Sequence, residues 1–198
     1  MKKLPLISFA FLLAIGLDAA VETGARAPEF SLADTNGTTH SLSDFAGKYV
    51  VLEWTNHGCP FVAKHYKQGH MQALQEKMTG KGVVWLKINS GAPGKQGYVT
   101  AGEGNQLLAD KKIKATALLL DSDGTVGRAY DARVTPHMFL IDPEGMVIYQ
   151  GAIDSIRSTS PDDVDQAENY VKAAYMAHVN GEPVANPTTT PYGCGVKY

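Results

Sequence analysis

Two residues of this chain, Cys59 and Cys194, are its only thiols and the side chains best able to do chemistry. Cys59 follows Thr55-Asn56-His57-Gly58 and precedes Pro60, where an apolar run gives way to a helical pattern. Pro60 suits the first helical position, where its missing N–H costs nothing. That places Cys59 at a helix N-terminus, where unsatisfied backbone N–H groups and the dipole favour thiolate over thiol. Such sites lower a thiol from about 8.5 into roughly the 3.5–7.5 range. His57 and Lys64, close in sequence, are expected to add positive charge. The competing reading is an inert core cysteine, since free cysteine is among the most buried residue types.

Cys194 lies near the C-terminus, in a stretch with no helical or strand periodicity. A bridge to Cys59 would close most of the chain into one loop, worth about 5 kcal/mol in the chain-entropy model. A cysteine on a mobile tail can instead approach an active sulfur and leave again, as a resolving thiol must. A static structural disulfide is the alternative. Tyr192 and Tyr198, on either side, predict that the tail end docks on the body of the protein.

The elements that must position these sulfurs are legible in outline. Phe30 to Ala33 alternates, and Asp34 to Gly37 supplies turn residues, so a short hairpin opens the fold. Tyr49 to Trp54 reads as a buried central strand interrupted only by Glu53. A helix is expected from Pro60 to about Met78, closed by Gly80 and Gly82, followed by a strand over Val83 to Ile88. Ser90 to Gly104 reads as a long loop, with a helix starting near Asn105. Strands follow at Leu118 to Asp121 and Met138 to Asp142, and Met146 to Gln150 returns as a hairpin strand. A last helix is predicted from Ser160 as N-cap and Pro161 at its first position, with Val164, Ala167, Val171, Ala174 and Tyr175 on one face and Gly181 as its stop. Strands alternating with helices predict an α/β fold with a sheet of mixed direction.

Composition narrows the function. The 198 residues are 44% hydrophobic and 19% charged, enough for one domain with a real core. Eighteen basic against twenty acidic residues leave no surplus for phosphate contacts, which argues against nucleic acid as a partner. Met1-Lys2-Lys3, an apolar run from Leu4 to Leu17 and Asp18-Ala19-Ala20 have the pattern of a bacterial export signal. The expected organisation is a signal peptide over 1–20, a domain over 21–181 and a tail over 182–198. An uncleaved N-terminal anchor is the alternative. Beyond the run no stretch is apolar enough to span a bilayer. Export to a periplasmic or secreted location would let a disulfide persist.

Certain segments resemble a known family. Arg26-Ala27-Pro28-Glu29-Phe30-Ser31-Leu32, Ser41-Leu42-Ser43-Asp44-Phe45-Ala46-Gly47-Lys48 and Val50-Val51-Leu52-Glu53-Trp54 resemble the opening of redoxins. These are thioredoxin-fold proteins that include the AhpC/TSA peroxiredoxins and the TlpA-like disulfide reductases. Val134-Thr135-Pro136 and Phe139 to Gly145 resemble their second active-site segment, and the likeness runs over residues 24–155. It implies a mixed sheet flanked by helices and a thiol-dependent oxidoreductase, with Cys59 reactive, Cys194 resolving, and Thr135-Pro136 as a cis-proline segment facing Cys59. The expected substrate is a peroxide, for a peroxiredoxin-like antioxidant peroxidase in which Cys59 is oxidised and Cys194 resolves it; the alternative is a protein disulfide, for a TlpA-like enzyme. Either needs an external thiol reductant, and neither needs a cofactor.

The departures bear on that choice. Peroxiredoxins carry threonine or serine three residues before the reactive cysteine and proline seven before; here stand Asn56 and Leu52. Their arginine just before the Phe-Leu-Ile-Asp strand is replaced by Pro136, leaving Arg133 as the nearest electrostatic substitute. Thioredoxins need a second cysteine where Val62 stands. Asn56, His57, Pro60, Thr135, Pro136 and Arg133 are therefore expected to shape the site, with Asn56 bonding the sulfur or its attacking partner. A copper carrier of the Sco type, using His57, Cys59 and His137 with His65 nearby, and an inactive redoxin acting as a binding module are readings of other classes. Gly91, Gly94 and Gly97 lack the context of a phosphate loop, and Asp162, Asp163 and Asp165 read as helix N-terminal charge.

Overall fold

The computed structural model describes residues 21–198; the expected signal peptide lies outside them. The opening hairpin is present as β1 (Ser31–Ala33) and β2 (Thr39–Ser41). The central sheet is built from β3 (Val50–Trp54), β4 (Val84–Asn89), β5 (Ala117–Leu120), β7 (His137–Ile141) and β8 (Val147–Gly151), in the order β5-β4-β3-β7-β8. β3, β4 and β5 run parallel, whereas β7 is antiparallel to both β3 and β8. Every residue of β3, β4 and β7 is buried, as expected of strands covered on both faces.

Side-chain alternation sorts these strands into two cores. Val50, Leu52 and Trp54 join Leu86, Ile88 and Phe139 on one face, against Phe30 and Leu42 from the N-terminal segment. Val51, Trp85, Met138 and Leu140 fill the other. There they pack against Met71 and Met78 of α2 (His70–Thr79) and Val171 and Ala174 of α5 (Tyr170–Val179).

Three helices differ from expectation. The stretch from Pro60 to Thr79 is two helices, α1 (Pro60–Lys67) and α2, broken at Gln68-Gly69. Gly69 has φ of 83°, a left-handed conformation that glycine adopts without steric cost, and it lets the chain turn. Helix α3 (Ala101–Asp110) starts inside the predicted loop, because Thr100 and Glu103 form a reciprocal capping box that outweighs two glycines in the helix. The last helix starts nine residues late. Pro161–Asp163 makes only a 3-10 turn, and Ser160 gives no side-chain cap. The backbone of 168–170 is drawn into bonds with 153–155, and Asn169 caps α5 by accepting from the Lys172 amide.

The remaining elements are α4 (Thr125–Ala129), β6 (Val134–Thr135) and β9 (Cys194–Gly195). The tail is docked along much of its length. Gln150 N–H donates to the Pro187 carbonyl and Thr189 N–H to the Gln150 carbonyl, covering the edge of β8. Further on, β9 pairs antiparallel with β6 in the register Val134 to Gly195 and Thr135 to Cys194.

Candidate active site

Cys59 is the N-cap residue of α1, with Pro60 at the first helical position, as the residue order predicts. Its side chain is fully buried. The Thr135–Pro136 peptide bond is cis, and the Thr135 carbonyl lies 3.1 Å from the Cys59 sulfur. Strand β9 sets Cys194 beside it, the two sulfurs 2.8 Å apart and both free thiols. Closing a bond of about 2.05 Å between them needs only a small movement.

Their environments separate the two thiols. Burial pushes Cys59 up, but hydrogen bonds from the Cys194 thiol, the Val62 and Cys194 amides and Thr135 outweigh it and hold Cys59 below its ordinary value. Burial and the neighbouring Cys59 push Cys194 the other way. Within the pair the negative charge therefore belongs on Cys59 and the proton on Cys194.

Close approach at this point depends on one glycine. Gly193 has φ of 149°, and a Cβ there would stand 2.0 Å from the Thr135 carbonyl oxygen. Two aromatic residues hold the tail on either side. Tyr198 donates to the Ala132 carbonyl at 2.6 Å, with its ring under the Arg128 guanidinium at 4.6 Å. Tyr192 is buried, packs edge-on to Phe61 at 5.8 Å, and donates to Asp154. The docking expected from these tyrosines is what the structure has.

Other expected site residues lie elsewhere. Lys64 is turned away from the sulfur: its buried ammonium bonds Asp154 at 2.9 Å and the Ile156 carbonyl at 2.7 Å. Asn56 does not bond the sulfur; its amide pairs with Gln96 at 2.9 Å and accepts the Gly58 N–H at 2.9 Å, bracing the loop. Arg133 is 72% exposed and forks onto Asp131 at 2.5 and 3.0 Å, leaving it no electrostatic role at Cys59. His57 is exposed and lines a cleft of about 590 Å³ on the flank of α1, a cleft whose walls do not include Cys59. His137 is buried against Phe139, and His65 is buried 3.9 Å from Asp154. Among the described residues no three His, Cys, Asp or Glu side chains converge as a metal site would need, so His57, Cys59, His65 and His137 do not form the proposed copper set.

Sequence reasoning passed over a buried polar cluster under the same turn. Glu53 of β3 is fully buried and paired with Lys87 of β4 at 2.5 Å. Tyr66 at 2.8 Å, Trp85 at 2.8 Å and Gln75 at 3.3 Å also donate to its carboxylate. The ammonium of Lys87 reaches Thr55 at 3.2 Å, four residues before Cys59. The signal was present as one acid and one base in two otherwise apolar strands; a buried charge demands a partner.

The sequence pattern of the AhpC/TSA family matches residues 23–150. The chain belongs to that family. Among relatives, it is 30% identical over 140 residues to the thiol-disulfide oxidoreductase ResA of Bacillus subtilis (strain 168), covering 65% of this chain and 66% of that one. The chain thus matches just under two thirds of that relative's length. A hypothetical protein of Sinorhizobium meliloti 1021 superposes with a TM-score of 0.76 at 24% identity, over 91% of this chain and 96% of the other. The thioredoxin domain of a thiol-disulfide oxidoreductase from Bacteroides vulgatus superposes at 0.53 with 22% identity, over 74% of this chain and 98% of that domain. The family fold is thioredoxin-like, and this chain has it.

Proposed function

We propose that this protein is a thiol-disulfide oxidoreductase acting on protein disulfides, with Cys59 as nucleophile and Cys194 as resolving thiol. The observation that carries the reading is the pair of free thiols 2.8 Å apart beside the cis Thr135–Pro136 bond, with the charge favoured on Cys59. The Cys59 thiolate attacks a substrate disulfide, forming a mixed disulfide and releasing one substrate thiolate. Cys194 then loses its proton and displaces the second substrate thiolate, leaving the Cys59–Cys194 disulfide. Two electrons have passed to the substrate, and an external dithiol must return them.

Family membership and the ResA relative support a thiol-dependent oxidoreductase. The surroundings of the sulfur favour disulfide over peroxide. Splitting a peroxide calls for donors aimed at the departing oxygen. Here the amide of Asn56 is engaged with Gln96, the guanidinium of Arg133 is held by Asp131, and a carbonyl oxygen faces the sulfur. The N-terminal pattern of Lys2-Lys3 and the apolar run supports export, and no helix among the described residues is long and apolar enough to cross a membrane.

Intact mass against time separates the substrates. Reduced protein given one equivalent of a small aryl disulfide is expected to lose two hydrogens rapidly, and Cys194→Ser to stop at the mixed adduct. Hydrogen peroxide is expected to react at the rate of an ordinary thiol. Fast oxidation by peroxide with slow disulfide exchange would reverse the assignment.

A further inference from the structure

The tail covers the sulfur it serves. Cys59 has no exposed surface, whereas Cys194 is partly exposed. A bulky disulfide therefore reaches Cys59 only when residues 192–195 lift, and the second step needs them to return. Besides the pairing with β6 and the Tyr198 bond, a buried polar cluster that the exchange chemistry itself does not use holds them. Asp154 accepts from Lys64 at 2.9 Å and from Tyr192 through its other oxygen, while Lys64 lies 3.4 Å from the Tyr192 hydroxyl. Lys64 is on α1, the helix that carries Cys59; Tyr192 is two residues before Cys194. The cluster thus ties the nucleophile's helix to the resolving thiol's strand.

Resting on the function proposed above, we infer that Lys64, Asp154 and Tyr192 form a latch that positions Cys194 on Cys59 and shields Cys59 until a partner displaces the tail. Tyr192 supplies one tail-side hydrogen bond to a group already bound by Lys64. Losing that bond leaves the Lys64–Asp154 pair in place while the tail is released. Gly193 and Tyr198 continue to guide the tail back, so opening is a local event and not unfolding.

The test separates the two steps. In a Cys194→Ser background, alkylation of Cys59 by iodoacetamide reads how often the tail lifts. In the two-cysteine protein, stopped-flow reaction with an aryl disulfide that releases a coloured thiolate reads resolution as the second thiolate appears. Tyr192→Phe is expected to speed alkylation about tenfold and to slow resolution about tenfold, the usual scale for losing a hydrogen bond to a charged group. Asp154→Asn should move both in the same opposed directions. If Asp154→Asn fails to fold, Tyr192→Phe alone decides. Unchanged rates in Tyr192→Phe, or rates that fall together, would overturn the latch. A second thiolate that never appears in the unmutated protein would instead remove the parent reading of Cys194 as resolving thiol, and the latch with it.

Discussion

His65 and His137 are buried as neutral imidazoles, and acid should expose the cost. Burial holds each down to about 4, against 6.5 for a free histidine. The folded value lies below the unfolded one, so between them the unfolded chain binds protons that the native state refuses. Stability is therefore fully present above about pH 6.5 and is lost as pH falls toward 4. A gap of about 2.5 units corresponds to roughly 3 kcal/mol per histidine over the whole window, of which about 2 kcal/mol is lost by pH 5. His137 is the cleaner case. Its Nδ1 is buried without a hydrogen-bond partner, and its ring lies 4.6 Å from Phe139, so leucine fits the site without stranding a polar group. Urea unfolding of the wild type and His137→Leu at pH 7.5 and pH 5.0 measures the effect. The stability difference between variant and wild type should shift by about 2 kcal/mol in favour of leucine at the lower pH. Parallel pH dependences in the two proteins would refute the reasoning, because they would mean that His137 takes up its proton in the folded state.

Two further outcomes follow from named contacts. Lys87→Met strands the Glu53 carboxylate in a fully buried site and should cost about 3–5 kcal/mol in urea unfolding, whereas Glu53→Leu combined with Lys87→Met should cost much less than the two singles summed. Gly193→Ala would put a methyl group 2.0 Å from the Thr135 carbonyl oxygen, so β9 should leave β6 and formation of the Cys59–Cys194 disulfide should slow by tenfold or more, read by intact mass after oxidation.

Much of the fold and half of the site could be read from residue order. Cys59 and Pro60 announce their own position, because the proline ring and the capping site are local properties of adjacent residues. The segment Val134-Thr135-Pro136 was recognisable by resemblance, and its cis bond and its place against Cys59 agree with that. Other positions are not legible in this way, because proximity in sequence does not fix direction in space. Lys64 is five residues from Cys59, yet it lies on a helix face that meets Asp154 from a distant loop. Arg133 is near the cis-proline, but a carboxylate two residues away holds it more closely than the sulfur can. Glu53 looked like an interruption in an apolar strand because its partner, Lys87, sits on a different strand. Ser160-Pro161 carried the chemistry of a helix start, but long-range bonds between 153–155 and 168–170 delayed the helix.

The sequence by itself determined the α/β layout, the thiol at a helix N-terminus and a tail able to dock through its tyrosines. These follow from strand and helix periods, capping chemistry and residue type, which act over a few residues. Only the tertiary structure decided which hydrogen bonds hold Cys59 below its ordinary value, which carboxylate holds Lys64 and Tyr192, and that Cys59 is covered. Those outcomes depend on burial and on pairs of groups up to 135 residues apart, as Cys59 and Cys194 are. Their distances and dielectric surroundings come into being only when the chain has folded.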